Sequence, residues 1–95
     1  MQGYGFYTEM EFEYDPEKSK SNQAKHGIDF EQAKALWDDP NCISFPAKSD
    51  DEDRHALLAM LNGRLWVAFY TTRKERIRII STRRARTNEK QLYES

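Results

Sequence analysis

The chain has 95 residues, 38% hydrophobic and 13% aromatic, which suits one domain with one modest core and excludes a disordered chain. Its single cysteine, Cys42, excludes an internal disulfide framework, and no apolar run reaches the roughly 18 residues of a membrane span. The net charge of −1 hides a division: residues 1–53 hold 5 Lys/Arg and 13 Asp/Glu, whereas residues 54–90 hold 10 and 2.

Such a division makes two opposed fields on one small body, one suited to phosphates and one to a basic partner. The competing expectation is mutual neutralisation, with strand arginines meeting helix acids once the chain folds. The first residues, MQGYGFYTEM, have neither a basic stretch nor an apolar one, so they do not read as a secretory signal. A cytoplasmic location is expected.

In chain order, EMEFEYD alternates polar and apolar residues, with Met10, Phe12 and Tyr14 on one side, and predicts a first strand. DPEKSKSNQAKHG carries helix punctuation: Asp15 as cap, Pro16 at the first turn, Gly27 at the left-handed stop. Ala24 is its one apolar residue, so a surface helix held by its ends is expected. IDFEQAKALWDDP is amphipathic, with Phe30, Ala33, Leu36 and Trp37 on one face, Asp29 and Gln32 at capping-box spacing, and Pro40 as terminator. NCISFPA predicts a short edge strand because of Pro46, and KSDDED an acidic loop.

RHALLAML and RLWVAFYTT flank Asn62-Gly63, a strong hairpin signal through a type I′ turn. RKER turns the chain into RIRIISTRRA, a strand crowded with arginine, and TNEKQLYES reads as a closing short helix or tail, with Thr87 a candidate cap. Strands run together instead of alternating with helices. The class is α+β: an antiparallel sheet of four to five strands with helices packed on one face. Strict alternation places Leu65, Val67 and Phe69 under the helices, with Ile77 and Ile79 on the aliphatic side of the next strand. The other face then shows Arg78, Ile80 and Thr82 beside Tyr70, Thr72 and Trp66. A face mixing arginine, aromatics and hydroxyls can hold a phosphate backbone and stack bases.

There is no Gly-rich phosphate loop and no metal-ligand spacing, so no metal or cofactor is expected. Cys42 reads as a small buried hydrophobe. The remaining chemistry is cationic: Lys25, His26, Arg54, His55, Arg73, Arg78, Arg83 and Arg84. Cleaving RNA without metal requires a proton acceptor for the 2′-hydroxyl, charge to steady the phosphorane, and a donor for the leaving oxygen. Arginine's planar fork supplies the second, and His26 or Lys25 can shuttle protons. The plainer reading of His26 is a helix C-terminal histidine favoured by the dipole, and that of Glu31 a first-turn acid. From the residues alone, the chain is a nucleic-acid-binding α+β module.

Residues 12–40, FEYDPEKSKSNQAKHGIDFEQAKALWDDP, together with RIISTRRA at 78–85, resemble the BrnT family of bacterial type II toxins. The specific pieces are YDPEK, the KHG helix stop, FEQA…DDP, and RIIS.RRA followed by Glu89 and Tyr93. The resemblance covers one domain, residues 10–95, and leaves residues 1–9 outside it. It implies a RelE-like fold and a ribonuclease that halts translation. The implied partners are RNA, a ribbon-helix-helix antitoxin of the BrnA type, and, through that antitoxin, operator DNA; no membrane is implied. Its basic positions fall on Lys25, His26, Arg54, Arg73, Arg78, Arg83 and Arg84. Lys25, His26, Arg54, Arg73, Arg78 and Arg84 are the candidate catalytic residues, and Tyr70, Thr72 and Arg83 the candidate RNA contacts. A non-catalytic module that keeps the fold but serves only an antitoxin or DNA would use the same basic face.

Overall fold

The computed structural model describes residues 11–48 and 53–95. Met10 of the first predicted strand and residues 49–52 of the acidic loop lie outside them. The elements follow as β1 (Glu11–Glu13), α1 (Pro16–His26), α2 (Phe30–Ala33), a 3₁₀ turn (Lys34–Asp38), β2 (Ile43–Ala47), β3 (Arg54–Leu61), β4 (Arg64–Arg73), β5 (Arg76–Arg84) and α3 (Thr87–Glu94). The order matches the one expected, with one change: the second helix tightens after one α-turn. Among the described residues, no helix is long and apolar enough to cross a membrane.

Most of the punctuation works as its chemistry predicts, but the closing helix is capped at Arg86, whose amide donates to Glu89, and not at Thr87. Asp15 accepts from the Glu17 amide at 2.9 Å, and Gly27 stops α1 at φ 85°. Asp29 and Gln32 form a reciprocal capping box, at 2.8 and 3.0 Å. Asn62 and Gly63 take φ 52° and 80°, the two positive values a type I′ turn demands. Lys74 and Glu75, between β4 and β5, also take positive φ, 49° and 67°, without a glycine to ease it.

The α+β class holds, but the sheet is mixed. Its order is β1-β5-β4-β3-β2, with β1 parallel to β5 and every other pair antiparallel. From β1 the chain crosses through two helices to the opposite edge at β2 and reaches β5 only after β3 and β4, a connection long enough to permit a parallel neighbour. β2 is an edge strand, as Pro46 suggested.

The expected faces are corrected. Ile28, Phe30, Ala33, Leu36 and Trp37 pack on Leu57, Ala59, Trp66, Ala68, Tyr70, Ile77 and Ile79. The helices therefore cover the aromatic side of β4, not its Leu65–Val67 side. Leu65 and Val67 belong to a second cluster on the far face, with Ala56, Leu58 and Ala85, against which Tyr93 of α3 packs. Helices thus lie on both faces, not one. On the helix side the rings interlock: Trp37 meets Tyr70 and Phe12 edge-on, each at 5.2 Å between centroids.

A β-bulge explains the rest. Tyr70 pairs with Ile79 and Phe69 with Ser81, so Ile80 has no opposite residue. Before the bulge, Ile77 and Ile79 face the helices; after it, Thr82 and Arg84 do. Arg78, Ser81 and Arg83 turn to the far face. Arg78 therefore stands opposite Thr71, not beside Tyr70.

Buried polar residues tie the helix layer down. Asn22 donates to the carbonyls of Ile28 and Thr82, at 2.8 and 2.9 Å, and accepts from the Thr82 amide at 3.1 Å. Ser19 accepts from the Phe30 amide at 2.9 Å. The helix expected to be held by its ends is also held through its middle, by residues that composition marks as solvent-facing. Cys42 is half-buried against the helix-side core, and burial raises its thiol pKa.

Candidate nucleic-acid interface

Register places Arg54 of β3, Arg73 of β4, and Arg76, Arg78 and Arg83 of β5 on the far face. Ala47 pairs with Arg54, Thr71 with Arg78, and Arg78 with Glu13. One step beyond the His55–Tyr70 pair, the same register brings Arg54 alongside Thr71. The rung reads Ala47, Arg54, Thr71, Arg78, Glu13 from edge to edge. The Thr71 hydroxyl is fixed by the Asp53 carbonyl at 2.7 Å. Beyond it Arg73 pairs with Arg76, and Arg76 with Glu11.

β1 partly offsets this charge. Arg76 meets Glu11 at 3.2 Å and Glu13 at 3.7 Å, and Arg78 meets Glu13 at 3.5 Å. Neutralisation of Arg76 and Arg78 therefore comes from a neighbouring strand, whereas Arg83 meets a helix acid, Glu89. The β1 contacts are long and partly exposed, the weak kind of ion pair.

One same-face position from Thr71, Phe69 is half-buried, with Ser81 opposite it. The Arg83 guanidinium lies over the Phe69 ring at 5.3 Å. Its two terminal nitrogens donate to both Glu89 oxygens, at 2.9 and 2.8 Å. That bidentate grip holds the Glu89 pKa down to about 2 and raises that of Arg83. At the other end of α3, the Tyr93 hydroxyl donates to Asp39 at 2.6 Å. Burial, then the Asp39 carboxylate, raises the Tyr93 pKa to about 12. Burial pushes Asp39 up, but bonds from Tyr93 and the Met60 and Asn41 amides outweigh it and leave its pKa lowered.

Of the predicted site residues, the far face gathers Arg54, Arg73, Arg78 and Arg83. The other five lie elsewhere. Lys25 and His26 are exposed on the last turn of α1, on the helix side of the sheet. Arg84 lies over Trp66 at 5.6 Å, also on the helix side. Trp66 lines a cavity of about 420 Å³ with Gly27, Ile28, Gln32, Leu61, Asn62 and Arg64. Tyr70 is 7% exposed and bonded to the Ser44 hydroxyl at 2.7 Å, so its ring belongs to the core. Thr72 is exposed and pairs with Ile77, on the helix-facing side of β4.

The sequence reading missed Phe69 as a far-face aromatic, because it assigned that residue to the helix-covered side. It also missed what Glu89, Tyr93 and Asp39 do. Two of the motif pieces, DDP and the terminal tyrosine, are in hydrogen-bond contact.

The arrangement can hold a polyanion: partly exposed guanidinium forks along the far face, about a buried threonine, with a ring-and-guanidinium stack beside them. The model of the family described as ribonuclease toxin, BrnT, of type II toxin-antitoxin system matches residues 14–89. Comparison with individually curated proteins gives no match.

Proposed function

Since the chain belongs to the BrnT family of type II toxin-antitoxin ribonuclease toxins, we propose that the far-face arginine rung is where it holds and cleaves RNA. The observation that carries this reading is the rung itself, with the half-buried Arg54 and Arg78 flanking the buried Thr71 on one face. The family match supports a toxin, a ribonuclease activity and an antitoxin partner. The topology is compatible with the RelE-like fold that the resemblance implies.

The proposed reaction is transfer to a neighbouring hydroxyl. The 2′-oxygen attacks the adjacent phosphorus and the bond to the 5′-oxygen breaks. One fragment then ends in a 2′,3′-cyclic phosphate and the other in a 5′-hydroxyl. Arg54 and Arg78 stabilise the charge gathering on the phosphorane oxygens, where fixed donors contribute most. Arg73 holds a flanking phosphate. Solvent takes the 2′-proton and returns one to the leaving 5′-oxygen. Lys25, His26 and Arg84 face the other way and are assigned no step. The reaction needs no metal in this scheme. The partner is a BrnA-type antitoxin that covers the rung and carries the pair to operator DNA, all within the cytoplasm.

The test is incubation of purified protein with a defined RNA in EDTA, with and without ribosomes. Cyclic-phosphate ends are the expected product. Intact RNA under every condition would reduce the chain to a module that binds an antitoxin without cutting.

A further inference from the structure

Arg83 does not behave like its neighbours on the far face. Both terminal nitrogens are committed to Glu89, and one of them also donates to the Arg84 carbonyl at 3.1 Å. Few donors are left for a phosphate. Its plane, by contrast, is pre-set: the Phe69 ring supports it from one side, and the carboxylate fixes its rotation. The side chain retains 21% exposure, so it is not sealed in. A guanidinium held this way offers a flat, polarisable surface on which a nucleobase can stack.

Position adds a second argument. Phe69 and Thr71 are successive same-face residues of β4, about 6.6 Å apart along the strand. The plate and the Arg54–Thr71–Arg78 rung are therefore separated by about the reach of one nucleotide, from base to flanking phosphate. A strand with its phosphate on the rung has a base over the plate.

We propose that Arg83, laid on Phe69 and locked by Glu89, is a base-stacking platform that positions the nucleotide next to the scissile phosphate and favours a purine there. This rests on the far face being the RNA site. Arg83 is a positioning residue: it touches the base and no reacting atom. The wider purine ring covers more of the plate than a pyrimidine does, so the platform confers a preference without reading base edges.

The test uses oligonucleotides with 2′-O-methyl groups, which lack the attacking hydroxyl, carrying 2-aminopurine at each position in turn. The wild-type protein should quench one position strongly and bind purine there about tenfold more tightly than pyrimidine. Arg83→Lys keeps the charge and a bond to Glu89 but loses the plane; it should abolish both the quench and the preference. Phe69→Leu keeps an apolar side chain and should weaken both in the same direction. Circular dichroism confirms that each variant is folded. A retained quench and preference in folded Arg83→Lys would overturn the platform. If Arg78→Ala still abolished cleavage, the site reading would survive that result. Absence of oligonucleotide binding by the wild type would overturn both together.

Discussion

Arg78 has a polar neighbour on each side of its rung, Thr71 on β4 and Glu13 on β1. A donor held in this way is worth about 2.7 to 4 kcal/mol to a developing oxyanion. Arg78→Ala should therefore lower RNA cleavage about a hundredfold or more in single-turnover assays, with the fold intact by circular dichroism. Glu89 gives a pH signature. Its carboxyl is held at about 2 in the folded chain, below the ordinary 4.5. The stabilisation from its bond to Arg83 is thus fully present above about pH 4.5 and is lost as pH falls toward 2. Wild type should be more stable to urea than Glu89→Gln at pH 6, and the gap should close through that acid window. The sequence made the cations legible as a set, because arginine on a strand has few structural reasons to be there. It did not show which face each one takes. Ile80 has no glycine or proline to announce a bulge, and a single extra residue moves every later side chain across the sheet. Asn22 was equally opaque, since a buried asparagine and an exposed one look alike until their partners are known.

At the level of elements, local signals and tertiary ones divide cleanly. The caps Asp15 and Asp29 and the Asn62-Gly63 turn depend on neighbours in sequence and were readable, whereas the cap expected at Thr87 falls on Arg86. The 3₁₀ tightening after Ala33, the parallel place of β1 and the far-face seat of α3 depend on distant residues and were not. The Lys74–Glu75 turn shows local chemistry overruled: two residues with side chains take the left-handed conformation because the strands on either side impose it. Glu75→Gly should relieve one of them. We expect a gain of about 1 kcal/mol in urea unfolding, with RNA cleavage unchanged because the turn lies beyond the rung. A loss of stability would show that Glu75 makes a contact worth more than its backbone cost.

For the whole molecule, folding turns the charge split into an arginine-bearing far face bordered by an acidic edge strand. An antitoxin that covers the arginines should be drawn in by complementary charge, so its association rate should fall several-fold between about 50 and 500 mM salt, where the Debye length shrinks from about 14 to 4 Å. Stopped-flow mixing measures this, and a salt-independent rate would mean an apolar interface. The edge strand has a further consequence. Among the described residues, β1 is three residues long and pairs with β5 alone, so it belongs among the segments that open most readily in the native state. Its two glutamates occupy the same arginines that a phosphate chain would seek. Docking of β1 and binding of RNA are then linked equilibria of opposite sign, each weakening the other by the same factor. A non-cleavable RNA should speed amide hydrogen exchange at Phe12 and Glu13, and removing both charges by Glu11→Gln and Glu13→Gln should tighten its binding. In thermodynamic terms, β1 is a tethered competitor, and its local concentration sets how much RNA the toxin needs before it engages.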